Sequence, residues 1–216
     1  MTGENDGMSL HERPGTGRRT EVDAPSRWVR AGVVTVGFVA VLYVLEAVDQ
    51  LTNNSLDPYG IQPRSEDGLV GIALAPLLHG SWGHLEGNTV PVLVLGFLTL
   101  VSGIGRGIAV TAVIWVVAGA GVWVFAPADG IHLGASSLIF GWLVYLIVRG
   151  VFTRSAGQII LGIFLVLAYG GILLGVLPGQ PGISWQGHLF GAIGGGIAAM
   201  LLSDRVDRRG RADLYS

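Results

Sequence analysis

The apolar residues of this chain are gathered into blocks about as long as a bilayer is thick. A helix crossing the hydrocarbon core needs roughly 20 apolar residues in a row. Blocks of that order run over residues 28–48, from the 79–88 stretch on to 101, and over 108–125, 134–148, 159–177 and 183–202. Inside lipid each backbone N–H and C=O must be satisfied within its own segment, and unbroken apolar blocks do this as helices. The expected fold is therefore an all-α, polytopic membrane protein with six transmembrane helices. A soluble domain of 216 residues could also be 50% hydrophobic, but it would spread those residues over amphipathic faces.

Residues 1–27 are polar, mixed in charge and without an apolar period, and read as a disordered tail. No apolar core lies close enough to the start for a secretory signal. The membrane domain is expected at 28–203 and a basic tail at 204–216, where Arg205, Arg208, Arg209 and Arg211 cluster. Residues 49–67 carry turn chemistry (Asn53-Asn54, Asp57-Pro58, Gln62-Pro63) over a length typical of functional loops, here one lying on the membrane surface. With the N-terminus in the cytoplasm, both tails, Arg106, Arg149 and Arg154 fall inside and only Arg64 outside, the asymmetry the positive-inside rule requires. The expected location is the plasma membrane, with both termini cytoplasmic. Glu46, near the end of the first block, is read as snorkelling outward.

Several function classes drop out on composition. A net charge of −2 leaves no basic surface for nucleic acid. There is no cysteine, so disulfides, thiolate catalysis and zinc–thiolate sites are unavailable. All 13 basic residues are arginine, which removes serine–lysine dyads and Schiff-base chemistry. The 35 glycines have no triplet period; in apolar helices they let backbones approach closely.

Polar side chains within apolar blocks are expensive and face a protein interior or a wet cavity, so their positions carry information. Ser136 follows Gly134-Ala135 and would sit in the first turn of the short fourth block, fed by a loop below the outer surface. A helix N-terminus there offers free N–H groups to an oxyanion. His188, in the last block, is the candidate general base that a serine hydroxyl needs. Gly191 and Gly195 share its face and would let that helix press against the fourth. His84 and Asn88, four apart, share a face and can both donate to developing negative charge. His79 precedes them and can tie the surface loop in place. Singly, each has a blander reading: Ser136 as a packing residue, His188 as a packing or proton-relay histidine, His84 and Asn88 as headgroup ligands or, with His79, a metal site. The metal site lacks a third ligand at helical spacing, since Glu86 points to another face. His132 reads as a loop residue. Only the conjunction explains all of them.

These residues resemble the rhomboid family of intramembrane serine proteases in its bacterial six-span form, over roughly residues 69–202. The family's Gly-x-Ser-Gly motif is matched by Gly134-Ala135-Ser136 with Ser137 in the last place, its His-x-x-x-Asn pair by His84 and Asn88, and its last-span histidine with small residues by His188, Gly191 and Gly195. His79 falls where another histidine commonly stands. The resemblance implies a Ser136–His188 dyad without an acidic third member, an oxyanion site including His84 and Asn88, and no cofactor or metal. It implies cleavage of single-span or helix-destabilised transmembrane proteins near the outer face, in a lipid bilayer and without nucleic acid; the oligomeric state is left open. It also implies that residues 49–67 form the family's lateral loop. Ser137 replaces the usual glycine, and Phe140 stands where many members stack a tyrosine on the histidine. The alternative is a catalytically inactive rhomboid-like protein that binds transmembrane helices. A transporter or proton channel would need an ionisable path across the bilayer, and the inner half of the spans has none.

Overall fold

The computed structural model describes residues 25–179 and 182–212, with side chains as far as 203. The proposed N-terminal tail thus lies almost wholly outside the described residues, as does the end of the C-terminal one. Eight α-helices follow in order: α1 Arg27–Leu51, α2 Leu69–Leu74, α3 Trp82–Pro91, α4 Phe97–Val101, α5 Ile104–Phe125, α6 Ser136–Thr153, α7 Ala156–Tyr169 and α8 Trp185–Ala212. Among the described residues there is no strand, only one isolated antiparallel bridge between Ile61 and His132. Among the described residues five segments are long and apolar enough to cross a membrane: Arg27–Leu51, Trp82–Val101, Ile104–Phe125, Ser136–Thr153 and Ala156–Val176.

Local chemistry accounts for the ends and irregularities. Ser26 and Ser81 cap α1 and α3, their hydroxyl oxygens accepting the Val29 and His84 N–H groups at 3.4 and 3.2 Å. Pro91 has no N–H to donate, and the chain passes through a five-residue π-helical stretch, Val92–Gly96, before α4 resumes. The second span is thus one path with a built-in bulge. On α1 the buried residues Ala31, Thr35, Val39, Leu42, Glu46 and Asp49 recur every three or four positions. Val33, Val36 and Val44 are exposed on the rest of its surface, as a helix bathed in lipid requires.

The centre is α6, flanked by α8 and α5. Leu138, Ile139, Phe140, Leu143, Tyr145 and Leu146 are all buried there. A Cβ on Gly191 would strike the Ser137 carbonyl, and one on Gly195 the Gly141 carbonyl. The two helices therefore run parallel at backbone contact, a distance only glycine permits. Phe190 of α8 fills the space that Gly121 leaves on α5.

The long loop after α1 is tied down rather than free. Arg64, at φ 59°, donates through Nη1 to the Val124 and Ala126 carbonyls at 3.1 and 2.6 Å, and its amide donates to Trp123 O. Trp123 returns a bond from Nε1 to Ser65 O, and Trp115 one to Ile72 O, both at 2.9 Å. The outer end of α5 thus carries the loop.

Three expectations are corrected. Glu46 does not snorkel: it is 2% exposed and accepts from Gln50 Nε2 at 3.0 Å. Asp49 Oδ1, taking the Leu56 amide, folds the loop back toward the face of α1 on which Glu46 and Asp49 are buried. Arg149 is not in a loop, because α6 continues past residue 148 to Thr153. The turn to α7 is so short, with Arg154 left-handed, that Gln158 comes back to accept from Arg149 Nε at 3.1 Å. The helix expected to stop at residue 202 runs on to Ala212, so the first part of the basic tail is helical.

Overpacking a closed helix contact costs about 1–3 kcal/mol or more. Gly195→Val is expected to lower the thermal unfolding midpoint of the purified protein in detergent. Gly196→Ala, whose Cβ would meet nothing within 4 Å, should leave it unchanged. Equal melting of the two variants would contradict the backbone contact.

Candidate active site

Ser136 is the first residue of α6, and helices start with unpaired N–H groups. The Gly134 amide goes to Ala75 O at 2.8 Å and the Ala135 amide to His79 Nε2 at 3.3 Å. The Ser136 and Ser137 amides have no acceptor among the described residues. They point from the positive end of α6. The turn ahead of them needs Gly134, whose φ is +118° and whose absent Cβ would lie 2.6 Å from His84 Cε1. The His84 ring therefore rests directly on the loop that presents Ser136.

His188 sits in the first turn of α8, its amide bonded to Ser184 O at 3.2 Å. Its Nε2 is 2.9 Å from Ser136 Oγ, and its Nδ1 is 2.9 Å from Gly175 O. A carbonyl only accepts, so Nδ1 carries the hydrogen and Nε2 presents its lone pair to the serine hydroxyl. The Phe140 ring stacks on the imidazole, centroids 4.0 Å apart and 10° from parallel. Tautomer and ring plane are both fixed without a carboxylate.

Asn88, one turn after His84 on α3, is buried and its Nδ2 has no acceptor. That nitrogen lies 3.8 Å from where a Cβ on Gly134 would stand. An orphaned buried donor is costly unless something arrives to accept from it. His79 packs edge-on to His84, centroids 5.1 Å apart. Glu86 faces away and is exposed. Of the residues singled out in the sequence, Ser136, His188, His84, Asn88, His79, Gly134 and Phe140 converge on this one place, while Gly191 and Gly195 lie in the α6–α8 contact beneath it.

Two cavities meet there. One, of about 840 Å³, opens among the outer loops and is lined by Asp57, Ser81, His84, Asn88, Ser136 and His188. The other, of about 420 Å³, lies between α3 and the 3-10 turn after α7, between Pro91 and Leu174, and shares Asn88, Ser136 and His188. The site is open both upward and sideways.

Sequence reasoning missed three participants. The Gly175 carbonyl is a backbone group with no sequence signal. Asp57, taken as turn chemistry, lines the cavity, and burial raises its carboxyl above the usual range, with Asp49 adding to the effect. His132, set aside as a loop residue, bonds Ser184 Oγ through Nδ1 at 2.7 Å. Its position two residues before Gly134 was the available signal.

Burial, with the neighbouring His84, pushes the His79 pKa from 6.5 down to about 4. A folded-state pKa below the unfolded one means the unfolded chain binds the extra proton. His79 thus favours the folded state above pH 6.5, and that contribution is lost as pH falls toward 4. Thermal melts across this window should show a shallower loss for His79→Phe than for wild type. Parallel curves would show that the His79 ring is not held neutral by its surroundings.

A family model described as "Rhomboid domain" matches residues 66–205. An uncharacterized protein of Mycobacterium tuberculosis is 47% identical over 203 residues, covering 89% of this chain and 83% of its own length. One of Mycobacterium leprae is 47% identical over 216 residues, covering 95% and 84%. A Bacillus subtilis protein provisionally named as a rhomboid protease is 29% identical over 135 residues, covering 62% of this chain and 67% of its own.

Proposed function

We propose, from the premise that this chain belongs to the rhomboid family, that it is a serine endopeptidase cleaving transmembrane segments within the membrane. The observation that carries this reading is the 2.9 Å contact from Ser136 Oγ to His188 Nε2, on an imidazole whose Nδ1–H is committed to Gly175 O. A hydroxyl so placed has its base waiting in the correct tautomer.

In the proposed reaction a substrate helix enters sideways between α3 and the turn after α7, unwinds, and offers a carbonyl to Ser136. Oγ bonds the carbonyl carbon as Nε2 takes the hydroxyl proton. Asn88 Nδ2, His84 and the free amides of Ser136 and Ser137 hold the oxyanion, each good donor being worth on the order of 3 kcal/mol in the transition state. The Gly175 carbonyl and the face of Phe140 stabilise the imidazolium. His188 then protonates the leaving amine as the C–N bond breaks. Water from the outer cavity, deprotonated by the same nitrogen, hydrolyses the acyl-enzyme. Apart from water, every group in this reaction is a side chain or backbone group of this chain, so the proposed steps use no cofactor.

The arginine asymmetry supports α8 as a sixth span, both termini in the cytoplasm and a site near the outer face of the cell membrane. Substrates on this reading are single-span or helix-destabilised membrane proteins. A serine-reactive fluorophosphonate should label wild type but not Ser136→Ala, and both Ser136→Ala and His188→Ala should lose cleavage of a transmembrane substrate by about a thousandfold or more. Substrate binding without labelling would instead fit an inactive, helix-binding protein. Cleavage at the wild-type rate in either variant would remove the proposal.

A further inference from the structure

The loops entering α6 and α8 are joined on the outer side of the Ser136–His188 pair by one side-chain hydrogen bond, His132 Nδ1 to Ser184 Oγ at 2.7 Å. Among the described residues no other side-chain bond spans these two loops. Ser184 Oγ also accepts the Gly187 N–H at 3.2 Å, and its carbonyl accepts the His188 N–H. It is thus the cap of the turn that carries His188. With one lone pair of Oγ taken by Gly187, its own hydrogen is free to donate to His132.

His132 is itself anchored. Its backbone exchanges two hydrogen bonds with Ile61, at 2.8 and 2.9 Å, and Ile61 belongs to the loop that Arg64 and Trp123 pin to α5. Ser136 is four residues further on. The tie therefore runs from a braced part of the structure, past the nucleophile loop, to the first turn of α8.

We infer that His132 and Ser184 form a positioning pair that holds the outer ends of α6 and α8 in register, and so keeps His188 Nε2 on Ser136 Oγ through turnover. The inference rests on the protease reading above. Gly191 and Gly195 fix the helices to each other from the level of Ser137 inward, but they do not restrain the turn above. Gly179 and Gly182, which precede that turn in the sequence, both have positive φ. Gly175, the other partner of His188, borders the sideways cavity through which a lateral substrate would reach Ser136. Phe140 holds the ring plane, and the Ser184 tie steadies the turn of α8 that carries the imidazole.

The test uses the full-length protein with a transmembrane substrate. His132→Phe keeps an aromatic ring, somewhat larger than the imidazole, leaves the backbone bridge to Ile61 and the Ser184 cap, and removes the bond to Ser184. It is expected to lower kcat by about tenfold or more while KM changes by less than about twofold, because a misplacement of about 1 Å acts on the reacting geometry rather than on binding. His132→Asn, which can place a polar atom near Nδ1, and Ser184→Thr, which keeps the hydroxyl, should recover most of the rate. The double variant His132→Phe/Ser184→Ala should be no slower than the slower single variant, since both break the same tie. Wild-type kcat in His132→Phe, or a loss that simply follows a lowered melting midpoint with no rescue by His132→Asn, overturns the inference. Wild-type protein that neither cleaves nor labels removes the protease reading and this inference with it. An active wild type with unaffected variants removes this inference alone.

Discussion

The contact between α6 and α8 is the constraint from which the remaining geometry follows. Gly191 faces the Ser137 carbonyl and Gly195 the Gly141 carbonyl with no side chain between them, so two parallel helices lie at backbone distance. At that separation the serine hydroxyl on one and the imidazole on the other meet at 2.9 Å. In lipid there is little hydrophobic force to press helices together, and such contacts rest on dispersion and shape. Small residues on α8 are therefore a condition of the site rather than a detail of packing.

A second constraint is the price of polar backbone at depth. The turn into α6 leaves two amides unpaired, and Asn88 leaves a buried donor without an acceptor. A protein optimised only for stability would satisfy these groups. Their orientation around the space above Ser136 is what the proposed oxyanion would use, and the cavity of about 840 Å³ reaching the same atoms gives water a route to them. Irregular backbone lining a wet cavity is the one circumstance in which a membrane interior tolerates it.

The imidazole illustrates how a fold can replace a residue. Where a carboxylate might orient a histidine, His188 has the Gly175 carbonyl on one nitrogen and the Phe140 ring against its face. A neutral carbonyl fixes the same tautomer without placing a second charge in a low-dielectric setting, where an unpaired carboxylate would be costly. Phe140 stacks on the imidazole without a hydroxyl, as its aromatic ring alone allows.

The sequence by itself determined the elements that depend on local composition: which blocks are apolar helix, where Ser136 falls at a helix start, and that His84 with Asn88, or His188 with Gly191 and Gly195, share a face. These follow from helical period and residue size alone. Tertiary structure decided what period cannot express. Glu46 and Arg149 read as interfacial charges by position, yet both are enclosed, because the loop after α1 and the tight turn before α7 fold back over them. The Gly175 carbonyl was invisible because a backbone carbonyl has no signature; His132 stood close to Gly134 in the sequence, but its partner, Ser184, is 52 residues away. A hydrogen bond between distant loops exists only once the helices beneath them have set the separation.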